Sequence, residues 1–159
     1  MPVTPEALST VRSSPLLSEL NDAELAGMAT VMDLVTYPKG SSIFEQDTAG
    51  DSIIVIVSGQ VGVVRRSAKD RSKEQLLAVV GVGECIGEMA LADGGPRSAT
   101  ITALDDVQAL ELTEARYLQF REEDPKLAIK LALGIFRLLS KRLRQINNNL
   151  EIVRYWMYA

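Results

Sequence analysis

The stretch Ile86-Gly87-Glu88-Met89-Ala90-Leu91-Ala92-Asp93-Gly94-Gly95-Pro96-Arg97-Ser98-Ala99-Thr100 decides how this chain is read. It sets a carboxylate, Glu88, and a guanidinium, Arg97, on either side of a short apolar turn and a Gly-Gly-Pro loop. A guanidinium is a planar fork of donors that matches the oxygens of a phosphate, a task an ammonium performs less specifically. Gly87 lets the backbone come close to a ligand, and a turn opening at Glu88 aims N–H groups at an anion. An ionised Glu88 only accepts hydrogen bonds, so beside a phosphate its partners should be neutral donors such as sugar hydroxyls. Cation, acceptor and apolar wall together describe a pocket for a phosphorylated ribose. The competing reading is a surface ion pair between Glu88 and Arg97. Such a pair would require neither the glycines, nor the apolar turn, nor the small Ser98 and Ala99.

Outward from this segment, short β-branched runs alternate with turns from about Leu34 to Leu112. Ile53–Val57, Val61–Val64, Leu76–Val80, Ile101–Leu104 and Val107–Leu112 are strand candidates, with Ser58-Gly59-Gln60 and a charged loop from Arg65 to Gln75 as connections. Many short strands with glycine turns imply a closed or rolled antiparallel sheet, interrupted once by the candidate site. Residues 1–13, polar and dotted with Pro and Ser, read as a flexible lead-in. Asn21-Asp22-Ala23-Glu24 reads as a helix start. Thr113 caps a short helix that ends near Glu123, and Asp124-Pro125 opens a longer one.

That last helix carries Ala132, Phe136, Leu139, Leu143, Ile146, Leu150, Val153 and Met157, at steps alternating four and three. This is a heptad seam. It either packs on its own sheet or, from Leu143 onward, pairs with the same helix of a second subunit. The period favours the second arrangement, because a sheet surface asks for a wider stripe. Homodimer contacts are therefore expected at Leu143, Ile146, Leu150, Val153 and Met157. Gly134 is a mild interruption near the helix start.

With 159 residues, 47% hydrophobic and 24% charged, the chain should fold as one domain with its own core. A formal charge of -4 argues against nucleic acid as the main partner. Arg137, Lys141, Arg142 and Arg144 form one basic cluster, read as the solvated face of a helix. Cys85 is the single cysteine, which fits a reducing compartment and an inert buried thiol. The N-terminus lacks a signal pattern and no apolar run approaches membrane-spanning length, so a cytoplasmic location and no membrane partner are expected. There is no histidine, no candidate metal site and no reactive nucleophile, so the chain is expected to be a receptor and not an enzyme.

The segment Gly87-Glu88 through Pro96-Arg97-Ser98-Ala99-Thr100 resembles the phosphate-binding cassette of the cyclic-nucleotide-binding domain family. Tyr37-Pro38-Lys39-Gly40, Ile43-Phe44-Glu45-Gln46, Gly50-Asp51-Ser52-Ile53 and Ile56-Val57-Ser58-Gly59 are similar to that family's turn-and-strand phrases, and the likeness covers roughly residues 14–158. Where the family often has glycine after Glu-Gln, this chain has Asp47, and Ile86 stands where Phe is frequent. The resemblance implies an α+β fold: an antiparallel β-roll flanked by an N-terminal helix and two C-terminal helices. Residues 14–123 would form the binding roll and 124–159 a hinge and dimerisation helix. It implies cAMP or cGMP as ligand, no other cofactor, and binding residues Ile86, Gly87, Glu88, Met89, Ala90, Arg97, Ser98 and Ala99. Asn147 joins them as a polar residue reaching the base from the last helix, and Tyr155-Trp156-Met157-Tyr158 as a lid. Ser98 is compatible with either nucleotide, and the helical layout leans to cAMP. The alternatives are a ligand-free docking scaffold of the same fold, or the regulatory piece of a larger regulator, kinase or channel. A downstream protein partner is consistent with each.

Overall fold

The computed structural model describes residues 1–67, 70 and 73–158, with backbone alone at Ala90 and from 151 to 158. Residues 1–31 supply two helices, α1 (Pro5–Val11) and α2 (Asp22–Val31). The first corrects the expectation of a flexible lead-in. Thr4 caps it, Pro5 occupies the first helical turn, and Ala7 and Val11 are buried in the core. In α2, Asn21 and Glu24 exchange side-chain and backbone hydrogen bonds in a capping box.

Among the described residues eight strands follow, together with one short helix. They are β1 (Asp33–Tyr37), β2 (Ser42–Phe44), β3 (Ser52–Ser58), β4 (Val61–Arg66), β5 (Glu74–Val80), β6 (Cys85–Ile86), then α3 (Glu88–Asp93), β7 (Thr100–Ala103) and β8 (Val107–Thr113). They form two antiparallel four-stranded sheets, in the orders β1-β8-β3-β6 and β2-β7-β4-β5. The predicted loop from Arg65 to Gln75 shrinks at both ends, because β4 extends to Arg66 and β5 begins at Glu74; residues 68, 69, 71 and 72 within it lie outside the described residues.

Two apolar cores explain why the middle of β3, Ile53–Val57, is an unbroken apolar run. Ile54 and Ile56 face the interior of the roll with Val61, Ile86, Ile101 and Val107, whereas Ile53 and Val55 face the helices. Side chains alternate across a strand, so a strand buried on both faces has no polar position.

The chain ends in α4 (Glu114–Glu123), capped by Thr113, and α5 (Pro125–Tyr158), where the Asp124 carboxylate accepts from the N–H of Leu127 at 3.0 Å. The face of α5 that enters the core is Leu127, Ala128, Leu131, Ile135 and Leu138. Among the described side chains of the predicted seam, Leu139 alone packs against that core as a partly buried residue, while Phe136, Leu143, Ile146 and Leu150 are exposed. The side chains of Val153, Met157 and the Tyr155–Tyr158 aromatic cluster lie outside the described residues. Gly134 has a packing reason: a Cβ there would come within 2.7 Å of the Leu16 carbonyl oxygen and 3.0 Å of its Cα. A larger residue would push α5 off the turn that joins α1 to α2.

Candidate ligand-binding site

Between β6 and α3 the chain turns through Gly87, at φ +90°, a conformation that L side chains rarely adopt. A Cβ here would meet Nη1 of Arg97 at 2.6 Å, the Ser52 carbonyl oxygen at 2.7 Å and the Phe44 ring at 3.0 Å. Gly87 is therefore the space that Arg97 fills. Arg97 is only 5% exposed. Its Nη1 donates to the carbonyls of Ser52 (2.8 Å) and Gly87 (3.3 Å), its Nη2 to Oγ of Ser52 (3.3 Å), and its guanidinium lies 3.6 Å over the Phe44 ring. Burial lowers its pKa, opposed by the charges of Asp51 and other acidic groups, and a guanidinium stays protonated at neutral pH.

Arg97 is also held from outside. Its N–H donates to the Thr48 carbonyl at 2.8 Å, and its own carbonyl accepts from the N–H of Asp47 at 2.9 Å. Asp47 takes φ +68°, so the turn after Glu45-Gln46 keeps the left-handed geometry that glycine would adopt freely. Asp47 thus carries a left-handed strain that glycine would not.

Glu88, 3% exposed, opens α3. It does not pair with Arg97. Instead Arg142, on α5, donates through Nη1 to its Oε1 and through Nη2 to the carbonyl of Cys85. Oε2 of Glu88 has no partner among the described residues. The surface ion pair that competed with the ligand site is absent on both counts: the two side chains are buried, and each has other partners. Burial also raises the Cys85 thiol pKa, with Glu88 adding to the effect, so the thiol stays protonated and inert.

These groups share one cavity of about 400 Å³. Ile86, Gly87, Glu88, Met89, Arg97, Ser98 and Ala99 all line it. Ala90 follows in α3, and its side chain is outside the described residues. Asn147 is not on the lining. The positions of α5 that face the cavity are Arg142, Gln145, Ile146 and Asn149, at steps of three, one and three. That spacing marks one helical face, and Asn147 points off it. In the sequence the regular apolar stripe of α5 masks this second face, and Arg142 falls in one basic cluster with Arg137, Lys141 and Arg144, which are exposed. The signal that could have separated it is its place one turn before Ile146 on a face with two amides. Val63, Ala78 and Val80 complete an apolar wall opposite α5.

The arrangement can hold an anion beside Arg97, a hydroxyl beside Glu88 and a flat apolar group between sheet and helix. Among the described residues, no cluster of three or more His, Cys, Asp or Glu is placed to hold a metal ion, and no helix is long and apolar enough to cross a membrane.

Residues 34–124 match the family model described as the cyclic nucleotide-binding domain. The chain is 32% identical over 145 residues to the cyclic AMP receptor protein of Thermus thermophilus, covering 91% of this chain and 64% of that one. It is 30% identical over 126 residues to a CRP-like cAMP-activated global transcriptional regulator of Mycobacterium tuberculosis, covering 79% and 54%. The chain thus spans about half to two thirds of these curated relatives. A solved cyclic nucleotide-binding domain from Methylobacillus flagellatus superposes with a TM-score of 0.80 at 27% identity, covering 91% of this chain and 80% of that one.

Proposed function

The chain belongs to the cyclic-nucleotide-binding domain family, and from that premise we propose that it is a sensor for a cyclic nucleotide, cAMP ahead of cGMP, whose occupancy repositions α5. One observation carries the reading: a buried Arg97 and a buried Glu88, not paired with each other, line one cavity that α5 also lines. The cyclic phosphate meets Arg97. The ribose hydroxyl donates to Glu88, where Oε2 is open. The base lies between the apolar wall and α5. The lean to cAMP rests on relatives named for cAMP, because Ser98 suits either purine.

The role is binding and not chemistry, in keeping with the binding-domain family whose model the chain matches and with a cavity lined by no histidine. Ligand shifts α5 only if it binds two helix positions with different free energies. Driving a population from 1:99 to 99:1 takes about 5.5 kcal/mol, and one charge-assisted hydrogen bond contributes ~1.5–3 kcal/mol. Arg97, Glu88 and the α5 contacts must therefore act together.

Exposed Leu143, Ile146 and Leu150 support a homodimer through the distal α5, with Val153 and Met157 continuing the seam. In such a pair Asn147 flanks the seam and faces the neighbouring helix instead of its own cavity. A cytoplasmic regulator acting through a protein partner fits these features. A second reading, a ligand-free scaffold, is favoured by one fact: Arg142 already occupies Glu88, and Ser52 already occupies Arg97.

Calorimetric titration with cAMP and cGMP separates the two, once the ultraviolet spectrum of denatured supernatant shows no copurified nucleotide. Heat in the wild type that vanishes in Arg97→Ala supports the sensor. No heat with either nucleotide rejects it in favour of the scaffold. For the seam, Leu150→Asp should halve the mass seen by light scattering; an unchanged mass rejects the coiled coil.

A further inference from the structure

Sulfur is distributed unevenly over this chain. The Cys85 thiol is fully buried, and burial keeps it protonated, so it is shielded from oxidants in solvent. Met28 and Met32 are sealed in the helical core at 0% and 2% exposure. Met89 is the contrast. It is 50% exposed, it lines the ligand cavity, and its sulfur accepts from Oγ of Ser98 at 3.9 Å. Met1, also exposed, is not on the cavity lining, and the side chain of Met157 lies outside the described residues. A thioether needs no deprotonation to react, so access to the sulfur decides where oxidation falls.

We infer that Met89 is a modification site: oxidation of its thioether to the sulfoxide by a peroxide lowers nucleotide affinity, and reduction restores it. The inference rests on the cyclic-nucleotide reading of the cavity and adds a redox control to it. A lone pair on sulfur attacks one peroxide oxygen, the O–O bond breaks and an S–O bond forms. The departing hydroxide takes the proton left on the transferred oxygen and leaves as water, so sulfur is oxidised and the peroxide reduced. Before oxidation the sulfur is a weak acceptor, and the Ser98 hydroxyl can turn from it to a ligand oxygen. Afterwards the side chain is polar, and its oxygen carries partial negative charge and holds the hydroxyl more strongly. Ser98 directly follows Arg97, and Met89 directly follows Glu88 on α3. The new acceptor therefore enters beside the groups expected to take the phosphate and the ribose, where an anionic ligand brings acceptors of its own.

The test treats the purified chain with hydrogen peroxide, locates each sulfoxide by peptide mass spectrometry, and titrates cAMP calorimetrically before and after treatment. Met89 should oxidise ahead of Met28 and Met32, and the oxidised wild type should bind cAMP about tenfold more weakly. Methionine sulfoxide reductases A and B, which between them act on both sulfoxide epimers, should return the lost affinity. Met89→Leu, whatever its starting affinity, should hold it through the same treatment. Unchanged affinity with Met89 oxidised overturns the inference and leaves the sensor reading standing. An equal loss in Met89→Leu overturns it too, because the damage then lies elsewhere in the chain. So does a Met89 that resists peroxide as the buried methionines do. If untreated wild type binds neither cAMP nor cGMP, the sensor reading falls and the inference with it.

Discussion

Glu88 and Arg142 lie 54 residues apart in the chain, yet α5 reaches the cavity wall through their ion pair. Glu88 is buried, while Arg142 keeps about a third of its side-chain surface. Removing the partner of a buried carboxylate costs more than an exposed pair ever contributes, because the charge is left without its counter-ion. Arg142→Ala should therefore destabilise the fold by roughly 1–3 kcal/mol, the lower end reflecting solvent at Arg142. Glu88→Gln should cost less, and the double variant less than the sum of the two. Urea midpoints in a double-mutant cycle measure this. Strict additivity would mean that the contact contributes nothing to stability.

The Gly87 turn makes a sharper demand. An alanine there must hold φ near +90° and press its methyl against Arg97, a backbone carbonyl and the Phe44 ring. Left-handed strain and overpacking together amount to roughly 2–4 kcal/mol. The displaced atom belongs to the expected anion clamp, so affinity should fall with stability. Gly87→Ala should be both less stable in urea and at least about tenfold weaker for cAMP than wild type at a temperature where both remain folded. Loss of stability with full affinity would show that Arg97 does not need this space.

Particular residues show what was legible in the chain and what was not. The run Ile53–Val57 announced a strand because both of its faces are buried, and Gly87 to Thr100 announced a site because its chemistry is contiguous. Arg142 could not be recognised the same way, since the carboxylate that gives it meaning lies on another element. The last helix was legible only in part: Phe136, Leu143, Ile146 and Leu150 of its most regular apolar stripe are exposed, while Leu127, Ala128, Leu131, Ile135 and Leu138 form the face that packs. Periodicity reports that a helix has an apolar face, and only tertiary contact says which face meets the core. Composition concealed α1, although Thr4 and Pro5 were present as start signals.

Asp47 offers a gain of stability. Its left-handed backbone costs an L-residue energy that glycine avoids, although Asp tolerates the region better than most. Asp47→Gly should raise stability by up to about 1 kcal/mol while preserving the Arg97 backbone bonds, with glycine's greater unfolded entropy reducing the gain. A higher melting temperature with unchanged cAMP affinity is the expected result. A lower one would show that the Asp47 side chain contributes more than its backbone strain costs.

The contact between α2 and α5 should make stability depend on acid. Lys130 Nζ donates to both oxygens of Glu24, at 2.7 and 2.8 Å, and the Asn21 N–H donates to Oε2 at 3.0 Å. These bonds lower the Glu24 pKa, the Lys130 contact first and the Asn21 amide second. A carboxylate whose folded pKa is depressed contributes stability above its unfolded pKa, and loses it as pH falls through the folded value. Wild type should therefore exceed Glu24→Gln in urea midpoint at neutral pH. The difference should shrink once pH drops below the ordinary glutamate range of about 4.3 and vanish when Glu24 is protonated in both states. Neutral glutamine cannot titrate, so other acid-sensitive groups affect both proteins alike. A gap of constant size from neutral pH down to about pH 3 would mean that glutamine loses packing or capping geometry at this site, and not a charge bonded to Lys130.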